Sequence, residues 1–197
     1  MASVAPLRAV PGVSPFCRDE LTGRMVEISG RGCTSRLSAA ATLVLEAQAA
    51  GEPCAWVTLP DSTFFPPDLM RFGVDLEALP VVFAPSASAA ARSAARLFRS
   101  GAFGLVVVDA GKDPDISIAL QGRLTALALK HDAAVVLLTE KPASAPSVGS
   151  MVSLRAEPRR SQAGDMLYRV TLTALKDKRR GPGWVHEEVM LGPDGLR

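Results

Sequence analysis

The chain has 197 residues and a mass of 20.7 kDa; 48% of its residues are hydrophobic, 21% are charged, and its formal net charge is +2. That length suits one ordinary domain or two small ones, and the even spread of Leu, Val, Ile and Ala excludes disorder for the bulk of it. The longest apolar runs, at 105–108 and 133–138, are of strand length and far short of the roughly 18 residues of a membrane helix, so no membrane partner is expected.

The opening stretch MASVAPLRAVPGVSPF carries one Arg, several prolines and no continuous apolar run, which argues against a secretory signal and for a cytoplasmic address. Cys17, Cys33 and Cys54 are odd in number and lack metal-type spacing, so reduced thiols are expected rather than a disulfide framework or a zinc site.

In chain order, 24–29 alternates as a strand, GRGCTS supplies a turn, and 37–50 reads as a helix with Leu37, Ala41, Val44 and Leu45 on one face. A strand at 54–58 follows, then the Pro-rich LPDSTFFPP, a turn of helix at 68–72 and a short strand at 81–83. Ser86 is placed to cap an Ala-rich helix that runs to Ser100, and 103–109 (FGLVVVD) is an apolar strand of the kind buried on both faces. Asp113-Pro114-Asp115 predicts a helix start, with Ile116, Leu120, Leu124 and Leu127 as its stripe, before a buried strand at 133–139.

This alternation predicts an α/β class: a mostly parallel sheet covered by helices on both faces. Beyond Pro146 the period changes, and 150–156, 166–175 and 184–191 read as an antiparallel meander joined by the polar runs EPRRSQAGD and KDKRRGPG. The basic residues are expected mainly in those connections. Between Val152 and Arg180, eight cations (Arg155, Arg159, Arg160, Arg169, Lys176, Lys178, Arg179, Arg180) face three anions. Such a stretch is either a surface for an anionic partner or a solvated face.

The loop after the first strand occupies the place of a phosphate-binding loop. In G-x-x-x-x-G-K-[ST] the second glycine lets the backbone approach phosphate, the lysine reaches the β and γ oxygens, and the hydroxyl holds magnesium. Here Gly30 opens the loop, but the later places hold Ser35, Arg36 and Leu37, with Ser38 one place late. The loop keeps one cation and loses the metal hydroxyl, so phosphoryl transfer is not expected, and neither is ATP or another cofactor. Asp109 closes its strand as a Walker B acid would, or else caps a neighbouring helix. After the second strand, where such ATPases carry a water-orienting Glu, stand Pro60, which cannot act as a base, and Asp61, which could serve only in a shifted register.

Five segments in order, GRMVEISG (23–30), AAGEPCAWV (49–57), RFGVDLEAL (71–79), SGAFGLVVVD (100–109) and TALKDKRRGPG (173–183), resemble the RecA ATPase core. The resemblance covers roughly residues 12 to 195 and implies a lead segment over 1–22 and one RecA-like domain over 23–197. The span from Asp109 to Val135 is too short for the family's first DNA-binding loop, and Glu140 stands where RecA ends its nucleotide-sensing strand with Gln. A short RecA-like chain with a degenerate loop is similar to the ImuA group. That likeness implies a non-hydrolysing binding protein of the SOS response, with RecA, ImuB and an error-prone polymerase as partners in translesion synthesis. DNA would be at most a weak partner. The SulA-type division inhibitors share the size and fold, and a slow residual ATPase through Arg36 and Asp109 is the other alternative.

By the same resemblance Lys176 and Lys178 would face a neighbouring RecA protomer, with Arg179, Arg180, Arg159 and Arg160 completing a partner-binding patch. Arg92, Arg96 and Arg99 share one helix face, either as a phosphate-tracking stripe or as solvated surface. Phe64 and Phe65 suggest an exposed apolar loop that anchors a partner or packs over the sheet end. Cys33 at the loop is either a reactive thiol or incidental, and neither His131 nor His186 has the pattern of a catalytic base.

Overall fold

The computed structural model describes residues 14–32, 35–112, 114–165 and 167–191. Its chain order is α1 (Arg18–Leu21), β1 (Met25–Ser29), α2 (Arg36–Ala49), β2 (Cys54–Thr58), α3 (Pro66–Arg71), β3 (Val81–Phe83), α4 (Ala87–Arg99), β4 (Leu105–Gly111), α5 (Ile118–Lys130), β5 (Ala134–Thr139), β6 (Leu154–Gly164), β7 (Leu167–Asp177) and β8 (Val185–Leu191). The strands form one eight-stranded sheet in the order β3-β2-β4-β5-β1-β6-β7-β8. Every pairing from β3 through β6 is parallel, and β6 with β7 and β7 with β8 are antiparallel, so the α/β class and the C-terminal meander are both present.

Strand side chains alternate between two buried clusters, as the period of two requires. Val26, Trp56, Val107 and Val136 pack with Ala40, Leu43 and Val44 of α2, and Phe16 and Leu21 join them. Their neighbours Met25, Val57, Val108 and Val135 pack with Ala91, Ala94 and Phe98 of α4 and Leu124 of α5. The alanines of α4 let that helix lie close to the sheet, and Ser86 caps it by accepting from Ala89 N–H at 3.2 Å. Cys17 and Cys54 are free thiols, while Cys33 lies outside the described residues. Burial, with the Glu52 carboxylate adding to it, pushes the Cys54 thiol up to about 12, which makes it an inert core group. Among the described residues no helix is long and apolar enough to cross a membrane.

Two expectations need correction. Helix α5 begins at Ile118 with Ser117 as its cap, so the Asp-Pro-Asp signal does not start it; Asp113 itself lies outside the described residues. Ile116 is still buried against the same core, from the approach to the helix rather than from within it.

The run EPRRSQAGD is not a connection either. Residues from Glu157 to Gly164 continue β6, with Pro158 in register with Leu172 and Arg160 with Val170. The physical reason lies one strand away, because β1 pairs with β6 over Leu154–Ala156 and then stops. Past Ala156 that side of β6 has no strand partner among the described residues, and a proline is tolerated on such an edge strand. Arg159 and Arg160 therefore stand on a strand, as does Lys176 on β7, and not in turns.

Candidate functional site

A cavity of about 220 Å³ opens where the carboxyl ends of β2, β4 and β5 meet the first turn of α2, the end of an α/β sheet at which ligands bind. Arg36, Leu59, Asp61, Ser62, Asp109, Lys112 and Glu140 are among the residues that line it. Asp109 is 8% exposed, accepts a short hydrogen bond from Ser62 Oγ, and takes Gly111 N–H at 3.4 Å. Ser62 Oγ in turn accepts Phe64 N–H at 3.0 Å, so the carboxylate is bound to the loop after β2. Gly111 makes the turn out of β4 at φ 66°, and a Cβ there would lie 3.2 Å from Leu59 Cδ1. A glycine meets both demands and delivers Lys112 to the rim.

Arg36 is the first residue of α2, and its Nη2 lies 3.1 Å from Glu140 Oε1. Lys112 Nζ approaches the other oxygen, Glu140 Oε2, at 3.8 Å. Arg36 Nε and the Oγ of Ser35, the N-cap residue, are buried without a hydrogen-bond partner among the described residues. Asp61, Asp109 and Glu140 outnumber Arg36 and Lys112 at the lining, so the cavity repels a polyanion. Its volume is also below the roughly 300 Å³ at which ligand pockets usually begin. Among the described residues no set of three or more His, Cys, Asp and Glu could hold a metal ion.

Of the five nucleotide-loop candidates, Arg36 and Asp109 come together at the cavity. Ser35 is buried beside Arg36, and Ser38 lies on α2 as an acceptor for Thr42 Oγ1 through its carbonyl. Gly30 donates its N–H to Thr139 O at 3.2 Å, which extends the β1–β5 ladder instead of opening toward phosphate. Ser62 and Lys112 were not foreseen. A lysine three residues past a strand-end Asp is a signal that could have found Lys112; nothing local marks Ser62.

A buried polar group that the residue pattern did not announce supports the same end of the sheet. Glu27, in the middle of β1, is fully buried, lies 2.6 Å from Lys141 Nζ, and accepts Thr139 Oγ1 and Val148 N–H, each at 2.9 Å. Arg155 donates to Ser29 Oγ at 2.7 Å and to Pro142 O at 2.8 Å. Together these groups pin the segment that follows Glu140.

The basic patch is tied into its own chain. Lys178 Nζ donates to Ser150 O at 2.7 Å, Arg179 to Glu20 O at 3.2 Å and Thr22 O at 3.0 Å, and Arg180 Nη2 lies 2.7 Å from Glu20 Oε1. Burial, and then the charge of Lys178, lower the pKa of Lys176. On β6, Arg159 pairs with Glu157 at 3.1 Å and Arg160 lies 4.7 Å over the Tyr168 ring. Arg92, Arg96 and Arg99 are exposed on α4. Of the two readings of the Phe64–Phe65 loop, Phe64 takes the packed one: it stacks on Trp56 at 4.5 Å between centroids, and Phe65 alone of that pair projects, at 58% exposure. His131 caps the end of α5, and His186 Nε2 lies 2.7 Å from Glu188 Oε1.

A scan against models of known protein families finds no match to this chain, and a search of curated proteins finds none either.

Proposed function

We propose that the chain is a cytoplasmic, non-hydrolysing RecA-like binding protein of the DNA-damage response, similar in role to the ImuA group. In this reading it modulates RecA and supports error-prone synthesis with ImuB and its polymerase, and DNA contributes weakly. The observation that carries the loss of turnover is the Arg36–Glu140 pair: the cation standing in for the phosphate-loop lysine is already neutralised by a carboxylate of the same chain. Phosphoryl transfer relies on cations free to meet the transferring phosphate, and Arg36 is committed to Glu140. The two buried clusters, one holding α2 and the other α4 and α5, support a RecA-like sheet covered by helices on both faces. For the partner surface the support is the sequence resemblance, with the exposed arginines of β6 and of the β7–β8 connection as the contact groups.

Two measurements on the purified chain test this reading. RecA and ImuB are each presented at micromolar concentration in a pull-down, and ATP with magnesium is titrated by calorimetry alongside phosphate release. Retention of either protein without heat of ATP binding supports the proposal; retention of neither removes it. Phosphate release that disappears in Asp109→Ala would instead make the chain a slow ATPase. Filamentous cells on overexpression, without RecA retention, would favour the division inhibitor.

A further inference from the structure

Helices α4 and α5 lie side by side over one face of the sheet, α4 on β2 and β4 and α5 on β5 and β1. Together they carry five cations, Arg92, Arg96, Arg99, Arg123 and Lys130, and not one Asp or Glu. All five are exposed, and among the described residues none of them forms an ion pair. The cations of the 178–180 hairpin, by contrast, are held by Ser150, Glu20 and Thr22 of their own chain. Asp115 and Asp132 lie beyond the two ends of α5. Beside these charges runs an apolar strip. Ile118 and Leu129 are each 66% exposed, and with Gly122 and Ala126 they repeat at the i, i+4, i+8, i+11 spacing of one helix face, over roughly 16 Å. Nothing lies within 4 Å of where a Gly122 Cβ would stand, so the strip has an open notch near its middle. Thr125 Oγ1, 3.8 Å from Met25 Sδ on β1, marks the flank of α5 away from α4. Arg123 and Lys130 fall on the opposite flank, toward the arginines of α4.

We propose that the outer face of α4 and α5 docks an acidic amphipathic helix of a partner protein, its apolar side on the Ile118–Leu129 strip and its carboxylates along the cations between the two helices. Charge complementarity selects that occupant. Five cations left unpaired within their own chain attract acid, and charges of this kind speed association and exclude basic partners. The exposed Ile and Leu select a protein over a nucleic acid, because a phosphate backbone laid against them would lose water and gain no hydrogen bond there. The same cations disfavour a second copy, since a two-fold contact sets the five charges of one face against the same five. A helix laid along an apolar strip by i, i+3, i+4 and i+7 anchors is a recurrent mode of recognition. Among the described residues none from either helix lines the cavity, so this surface stands whether or not the chain meets RecA or ImuB.

The test is fluorescence anisotropy of the full chain with a labelled peptide of about 18 residues, long enough to span the strip, with Leu at i, i+4, i+7 and i+11 and Glu along one flank. Binding is expected in the micromolar range and should weaken about ten-fold between about 50 and 200 mM salt. Arg92→Gln, Arg96→Gln and Arg123→Gln together should weaken it about ten-fold, and Ile118→Ser with Leu129→Ser should do the same with less change in salt dependence. A scrambled peptide of the same composition, whose apolar and acidic residues do not segregate, should bind about ten-fold more weakly. No peptide binding at the lower salt overturns the proposal, as does equal binding of the scrambled peptide or an affinity that neither set of substitutions changes. The altered residues are exposed, so the fold should hold. Circular dichroism checks each variant, and the single substitutions carry the comparison where a combined variant does not fold. Two further outcomes overturn it. An oligonucleotide of about 20 residues that binds more tightly than the peptide, and loses affinity with the same arginine variants, would make the face a nucleic-acid surface. A dimer in sedimentation that Ile118→Ser with Leu129→Ser breaks would make it a self-contact.

Discussion

Arg24 Nη2 lies 2.6 Å from Asp177 Oδ1, and the two side chains are 1% and 0% exposed. They join the entry to β1 with the end of β7, and Arg24 also donates to Ser153 Oγ at 2.9 Å while Trp184 Nε1 donates to Asp177 Oδ2 at 2.9 Å. Breaking such a buried pair by removing one partner strands a charge, whereas replacing both with apolar groups can be neutral. Arg24→Ala is therefore expected to destabilise the fold by about 3 kcal/mol, read as a lower urea midpoint. A loss below about 1 kcal/mol would mean that water reaches Asp177 and does the work of the guanidinium.

The same pair sets an acid limit. Burial alone would raise the pKa of Asp177, but bonds from Arg179 N–H, Trp184 and Arg24 bring it below its ordinary value. A carboxylate depressed in the folded state contributes stability that is fully present above its unfolded pKa of about 3.9 and is lost as pH falls through the folded value. Melting temperature should fall below about pH 4, and Asp177→Asn should flatten that limb while lowering stability at neutral pH. An unchanged acid limb in Asp177→Asn would assign it to other carboxylates.

Replacing Lys178, Arg179 and Arg180 by alanine tests the hairpin in two ways. Arg179 and Arg180 hold Glu20 and Thr22, so hydrogen exchange should quicken at the amides of α1. If the patch also meets RecA, retention in the pull-down should weaken, mainly through a slower, salt-sensitive association. Faster exchange with undiminished RecA retention would leave these cations a structural clasp.

Glu27→Ala removes the shared acceptor of Lys141, Thr139 and Val148 N–H and leaves cations buried without it. The expected cost is again about 3 kcal/mol, with earlier proteolytic cleavage in 141–149 as the local signature. Global destabilisation without that cleavage would show that the segment is held by other contacts.

Strand positions were legible where hydrophobic patterning and punctuation agree. The 54–58 and 81–83 strands appear with the bounds read from sequence, and Ser86 caps α4 as its spacing implies. The start of α5 was misread because Asp-Pro-Asp and Ser117 both offer helix entry, and packing of Ile116 decides between them. At the cavity, Arg36 and Asp109 carry local signals, strand end and helix start. The Arg36–Glu140 contact spans 104 positions, and the Ser62–Asp109 bond spans 47, so neither periodicity nor spacing could announce them. Glu27 was hidden for a related reason: an acid in an alternating strand reads as solvent-facing until its cations, from β5's end and β6, are in place.

The overhang of β6 beyond β1 also bears on how the protein behaves when crowded against copies of itself. From Glu157 onward one side of that strand has no strand partner among the described residues, which in a long sheet is a template for another chain's backbone. Pro158 lacks a donor, and Arg159 and Arg160 are both exposed, so an incoming copy meets a missing hydrogen bond and like charge together. The step in the sheet is thereby blunted against cross-chain stacking. The same residues that made this stretch look like a turn are the ones that disfavour strand addition on that flank.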